Sequence, residues 1–167
     1  LSNNDLPTAA VLRRRFDEGF AVAASPKVER LEELLAIRVG SDPYVLRVSE
    51  ITGLHVDLKI VPVPSPVAHL LGIVALRGTM APVYDLASLL SYPPATRPRW
   101  TVLARVSQLV GFAFDTFESH VQLPQGAIAA SAAQTAPHLR GTVRAVEAMR
   151  PIVHLASLVE LIKEMKP

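Results

Sequence analysis

Residues 72–89, GIVALRGTMAPVYDLASL, lie over residues 141–158, GTVRAVEAMRPIVHLASL, at a fixed offset of 69 residues and without a gap. Gly72 falls on Gly141, Val74 on Val143, Met80 on Met149, Pro82 on Pro151 and Val83 on Ile152. Leu86-Ala87-Ser88-Leu89 then repeats as Leu155-Ala156-Ser157-Leu158. Such self-similarity predicts two copies of one supersecondary unit. Each copy reads as a strand opened by Gly, a turn, a second strand begun at Pro, and a helical turn. Asp85 is placed to cap the free backbone donors of the first helical turn. His154 takes that place in the second copy, where the expectation is a residue that packs or meets water. A doubled β unit also predicts a groove between the copies, where a partner or ligand can lie.

Outward from the repeat, the chain from residue 34 onward consists of short β-branched runs broken by turn residues, which predicts an all-β fold. Candidate strands cover 34–39, 44–48, 59–63, 72–76, 81–84, 100–107, 109–114, 141–146 and 151–153. Gly40-Ser41-Asp42-Pro43 separates the first two and reads as a hairpin turn. Strands this short gain by closing into small barrels, which pairs their edges. The prolines at 93, 94 and 98 mark a loop and a subdomain seam over 92–99. A second loop, without a packed element of its own, is expected over 124–137. The last segment, 155–165, sets Leu155, Leu158, Val159 and Ile162 against Glu160, Lys163 and Glu164, as an amphipathic helix does. Residues 1–30 read as an extension. Within it Val11, Leu12, Phe16 and Phe20 fall at helical spacing over 8–24.

Half of the 167 residues are hydrophobic and only 19% are charged, enough apolar surface for one sizeable core or two small ones. The net charge of +2 and the pI of about 9.2 come from Lys and Arg spread along the chain. Even Arg13-Arg14-Arg15 lies beside Asp17 and Glu18 without interleaved aromatics, so nucleic-acid binding is not expected. The chain has no cysteine, which removes disulfides and thiolate chemistry. Its longest apolar run, 70–76, is far short of the roughly 20 residues that cross a bilayer, and no signal peptide opens it. The expectation is a cytoplasmic protein without direct membrane insertion.

The residue types that carry catalysis are present but scattered. The five histidines, at 55, 69, 120, 138 and 154, form no pair at i, i+3 or i, i+4, so no metal site is expected. Ser88, Ser107 and Ser131 sit in no nucleophile elbow. The glycines match neither phosphate-loop nor dinucleotide patterns. Glu32-Glu33 and the Asp115–Glu118 stretch are read as solvated strand ends rather than a catalytic carboxylate pair. Neither a catalytic site nor a cofactor is expected.

The stretch Leu70-Leu71-Gly72-Ile73-Val74-Ala75-Leu76-Arg77-Gly78-Thr79-Met80-Ala81-Pro82-Val83-Tyr84-Asp85-Leu86 resembles the CheW family's G-[VI]-x-N-L-R-G-x-x-x-P-[VI]-x-D-L signature. Gly40 with Tyr44, Pro62-Val63-Pro64, Val110 to Asp115 and Leu139-Arg140-Gly141 sit where that family carries its hairpin, proline-marked loop, second-half strand and second Gly-opened strand. The similarity spans residues 31–163 in order. It implies two SH3-like, five-stranded β-barrel subdomains related by a pseudo-two-fold, in one CheW-like domain over 31–167. It also implies a non-catalytic adaptor that joins the cytoplasmic tips of methyl-accepting chemoreceptors to the regulatory domain of a CheA-type histidine kinase, at membrane-associated receptor arrays.

Carried over residue by residue, Arg77 matches the arginine of the family's L-R-G, with Val74, Leu76 and Gly78 as the strand that meets the receptor. Ile51 and Leu54 match the family's hydrophobic pair in V-x-E-I. Apolar side chains would bury against a helical hairpin while the Arg fork takes a carboxylate or carbonyl at the rim. The competing role for Arg77 is an intramolecular bond that braces the turn at Gly78. Gly53 stands where the family usually has Glu and Ala75 where it has Asn, which alters the expected receptor surface. Two other readings compete: a CheW-like regulatory module of a larger kinase or CheV-like fusion, and a small β-barrel that binds nucleic acid.

Overall fold

In the computed structural model, which describes residues 29–130 and 136–165, the chain runs through β1 (Leu31–Val39), β2 (Asp42–Arg47), a 3-10 turn (Val48–Glu50), β3 (Ile51–Val56), β4 (Leu70–Leu76), β5 (Thr79–Asp85) and α1 (Leu86–Leu89). It continues through β6 (Trp100–Arg105), β7 (Leu109–Phe114), β8 (Thr116–Pro124), a 3-10 turn (Gln125–Ala127), β9 (Ile128–Ala129), β10 (Leu139–Ala145), β11 (Ala148–Val153) and α2 (Leu155–Glu164). The helix expected over 8–24 lies outside the described residues.

Both copies of the repeat take the same build, for the same local reasons. In each, a register shift marks a bulge at the opening glycine: between Leu70 and Gly72 in β4, and between Leu139 and Thr142 around Gly141 in β10. Gly72 adopts φ +150° and Gly141 φ +88°. A Cβ would lie 2.2 Å from the Val61 carbonyl oxygen in the first case and 2.8 Å from that of Ala129 in the second. Glycine is required there because a second stretch of backbone crosses at close range. That stretch is the isolated bridge Val61 to Ile73 in one copy and β9 in the other.

The strands that follow begin before the prolines, at Thr79 and Ala148, not at them. Pro82 pairs with Ile73, whose N–H and C=O both point the other way, to Val61. Its missing N–H therefore faces the side where parallel pairing with β7 starts one residue later, at Val83. Pro151 is placed alike, one residue before β11 pairs with β2 at Ile152.

Two sheets result, in the orders β8-β1-β2-β11-β10-β9 and β3-β6-β7-β5-β4. The fold is all-β with two SH3-like subdomains, and the sheets carry six and five strands because the crossing segment is a two-residue strand in one and a single bridge in the other. The hairpins are exchanged between the halves. β1 and β2 join the sheet built by β8–β11, whereas β6 and β7 join the sheet of β3–β5. The chain therefore changes sheets at Val48–Glu50 and at Asp115. The expected seam at 92–99 is instead a loop that returns to the same sheet, from α1 to β6.

Three apolar clusters hold this arrangement. Leu34, Ala36, Val45, Val143, Ala145 and Ile152 fill one barrel, and Val74, Ala81, Val83 and Ala113 fill the other. The largest lies between them, where Leu35, Ile37 and Leu46 meet Val102, Phe112 and Phe114 under Leu86 of α1 and Leu155, Leu158, Val159 and Ile162 of α2. The space expected to form a groove between the copies is thus taken by this shared core. Trp100 of one sheet packs on Phe117 of the other, with ring centroids 5.1 Å apart.

Each helix start is capped by a carboxylate. Asp85, buried, accepts from the backbone N–H of Ser88 at 3.2 Å and from that of Ala95 at 3.2 Å. At α2, His154 has no carboxylate to offer, and Glu50 in the sheet-changing turn accepts from the Leu155 N–H at 2.7 Å. The His154 ring sits beside both groups, with Nδ1 2.5 Å from Ser157 Oγ and Nε2 3.8 Å from Glu50 Oε1.

Candidate functional site

The residues singled out from the sequence gather at the second barrel but divide between its inside and its mouth. Val74 is 2% exposed and belongs to the barrel filling, so its side chain supports the site from beneath and does not face a partner. Ile51 and Leu54 are half-buried and pack on the shared core, which holds β3 in place. Leu76 and Arg77 reach the surface and line a cleft of about 290 Å³ with Thr52, Gly53, His55, Thr79, Leu103, Arg105 and Leu109.

The turn that carries Arg77 has two central residues with positive φ, Arg77 at +46° and Gly78 at +80°, as a type I′ hairpin demands. Nothing lies within 4 Å of a Cβ placed on Gly78, so conformation and not space selects glycine there. Arg77 is exposed, and among the described residues no hydrogen bond or ion pair engages its guanidinium. Among the described residues, the bond that would brace the turn is not made.

The walls of the cleft are apolar at Leu76, Leu103 and Leu109. Its charged members, Arg77 and Arg105, are both cationic, and among the described residues no Asp or Glu lines it. Gly53 matters to its shape, because a Cβ there would lie 2.8 Å from His55 Nε2. The absence of a side chain lets the imidazole lie along the wall. Thr52 Oγ1 donates to the Leu103 carbonyl at 3.1 Å and is satisfied within the barrel. Chemically the cleft is an apolar notch with a cationic rim, suited to a helix that presents both aliphatic and acidic side chains.

Arg105, His55 and Thr52 were not among the residues singled out from the sequence. Arg105 is far from Arg77 in the chain and in no motif with it. The signal that existed was the repeat extended to the hairpins, which sets Arg105 at the end of β6 against Arg38 at the end of β1.

The first barrel carries a buried charge at a position where the second has alanine. Arg150, 1% exposed, takes the place of Ala81 in the repeat and donates to the carbonyls of Ala145 at 2.9 Å and Ile37 at 3.3 Å. Its Nη2 lies 2.5 Å from Glu118 Oε2, and Arg38 Nε lies 2.5 Å from Glu118 Oε1. Burial alone would raise the Glu118 carboxyl; hydrogen bonds and charge from Arg38 and Arg150 outweigh it and hold the group below its ordinary value. Near α1, burial first and the charge of Asp85 second push the Asp115 carboxyl up.

Among the described residues no group of three or more His, Cys, Asp or Glu is arranged to hold a metal ion, and no helix is long and apolar enough to cross a membrane.

Comparison with known proteins agrees with this geometry. The fold matches the scaffolding protein TtCheW from Thermoanaerobacter tengcongensis with a TM-score of 0.70 over 78% of this chain and 94% of that one, at 18% identity. A Rhizobium etli protein named "Probable chemotaxis protein CheW" is 30% identical over 63 residues, which span 38% of this chain and 41% of that relative. The pattern of the CheW-like domain matches residues 33–163, most of the sequence and both barrels. With its doubled unit, exchanged hairpins and L-R-G turn accounted for, this chain belongs to the CheW-like domain family.

Proposed function

We propose that the protein is an adaptor of a bacterial chemosensory system, which couples methyl-accepting chemoreceptors to the regulatory domain of a CheA-type histidine kinase and catalyses nothing itself. The observation that carries this reading is the cleft of the second barrel, where Leu76 and the unengaged Arg77 stand at the rim of an apolar notch in a chain of the CheW-like family. Receptor tips are helical hairpins, and a helix laid across this mouth buries aliphatic side chains against Leu76 and Leu109 while the guanidinium takes a polar group. Gly78 sets the turn that aims Arg77 outward, Ile51 and Leu54 anchor the neighbouring wall, and Val74 packs beneath it. The site of action is the cytoplasm, at receptor arrays, and no cofactor is required.

Binding of the purified protein to a cognate receptor-tip hairpin and to the kinase regulatory domain tests the reading. Both are expected to bind, and kinase activity in reconstituted arrays is expected to depend on the adaptor. Well-folded protein that binds neither overturns it.

A further inference from the structure

The internal symmetry of the molecule shows what is missing from the cleft. In the first sheet Ile152, Val45, Ala36 and Ser119 lie in one row across β11, β2, β1 and β8. In the second, Val83, Gly111, Leu103 and Gly53 form the same row across β5, β7, β6 and β3. Two residues further along β1 and β6 stand Arg38 and Arg105. One residue before Ser119 and Gly53 stand Glu118 and Thr52, and each is the residue skipped by a bulge in its strand's pairing. The two sites therefore correspond in backbone as well as in position.

Their chemistry differs at three positions, where Glu118, Arg150 and Val146 of the first barrel stand against Thr52, Ala81 and Arg77 of the second. In the first barrel the bulge residue is Glu118, which neutralises Arg38 and the buried Arg150. In the second it is Thr52, so Arg105 and Arg77 share a mouth to which no carboxylate among the described residues contributes. Two like charges converging on one cleft, beside apolar walls, are complementary to an anionic group flanked by hydrocarbon.

We propose that a partner helix supplies this carboxylate in trans: an acidic side chain beside aliphatic ones, which takes Arg105 as Glu118 takes Arg38 in the other barrel, with Arg77 at the same rim. The inference rests on the receptor reading above and adds to it Arg105 as a specificity residue and an empty counter-ion position at Thr52.

The symmetry also supplies the test. Thr52→Glu installs the counter-ion in cis, at a bulge position that carries a glutamate in the other barrel. Thr52→Gln is its uncharged control. With a labelled cognate receptor-tip hairpin as probe, Thr52→Glu is expected to weaken binding by about tenfold or more, while Thr52→Gln stays within about twofold of wild type. The midpoint of thermal unfolding of Thr52→Glu is expected at or above that of wild type. Arg105→Gln, at an exposed position, is expected to weaken binding about fivefold and to flatten its salt dependence. A hairpin whose apical Glu and Asp are replaced by Gln and Asn is expected to bind more weakly and to be indifferent to Arg105→Gln. If Thr52→Glu binds like Thr52→Gln, or Arg105→Gln leaves both affinity and salt dependence unchanged, the inference is overturned while the receptor reading stands. Should Thr52→Glu fail to fold, Arg105→Gln alone decides. Folded wild-type protein that does not bind the hairpin at all overturns both.

Discussion

Glu118 holds two guanidiniums, and one of them is out of reach of water, so the pair cannot be broken cheaply. Glu118→Gln leaves Arg150 buried without a counter-charge and is expected to cost about 3 kcal/mol in urea unfolding at neutral pH. The same carboxyl shapes the acid limb. Its value is lower in the fold than in the unfolded chain, so its stabilisation is complete above the unfolded pKa of about 4.3 and is lost as pH falls through the folded value. Stability followed from neutral pH downward should therefore fall less steeply in this range for Glu118→Gln than for wild type. Glycine positions separate by cause: Gly72→Ala drives a Cβ to 2.2 Å from a backbone oxygen and is expected to unfold the hairpin region, whereas Gly78→Ala meets no atom and should cost about 1 kcal/mol. In the second copy the equivalent turn carries Val146 at φ 49° and Glu147 at φ 61°, so Glu147→Gly should stabilise the fold by about 1 kcal/mol at most, read as a higher unfolding midpoint. Residues whose role is local were legible in the sequence, as Asp85 was, because an N-cap needs only its own helix turn. Glu118 and Thr52 were not, since a bulge residue is defined by the register of a strand far away in the chain.

At the level of elements, hairpins were read well wherever a turn residue and an apolar alternation occurred together, as at Gly40 and Gly78. β8 was missed, although it runs for nine residues, because Thr116–Pro124 mixes Glu, Ser, His and Gln with its Phe, Val and Leu. Half-exposed on the edge of its sheet, it needs little hydrophobic signal, and its pairing with β1 supplies the order. The opposite error fell at 59–63, where β-branched residues suggested a strand and the prolines at 62 and 64 leave a single bridge at Val61. The composition of 124–137 predicts a loop, yet the stretch contains β9, whose two residues are fixed by Gly141 and not by their own composition. The cap of α2 shows the same dependence on distant chain. Glu50→Ala removes the acceptor of the Leu155 N–H and should lower stability by about 1 kcal/mol, read as a lower midpoint of thermal unfolding.

On the scale of the whole molecule, neither half of the sequence holds a complete sheet. Each barrel takes a hairpin from the other half, and the largest apolar cluster draws on both sheets and both helices. Unfolding should accordingly be a single transition, with fluorescence of Trp100, which packs across the two sheets, coincident with far-UV circular dichroism. Polypeptides covering the chain up to, and after, residue 98 should each lack stable structure and regain it on mixing. The duplication was visible in the sequence because the second part of each copy is nearly unchanged, but the exchange was not, as no residue announces which of two equivalent sheets a hairpin will join. That exchange has a consequence during synthesis. β1 and β2 leave the ribosome before β3 to β7, and β8 and β11, the strands on either side of them, follow only after those. The nascent chain must carry an aliphatic hairpin with both edges bare until β8 has emerged, and with one edge bare until β11 has. A chain truncated before β8 would thus strand this hairpin, which makes the cell's holding chaperones natural attendants of its birth.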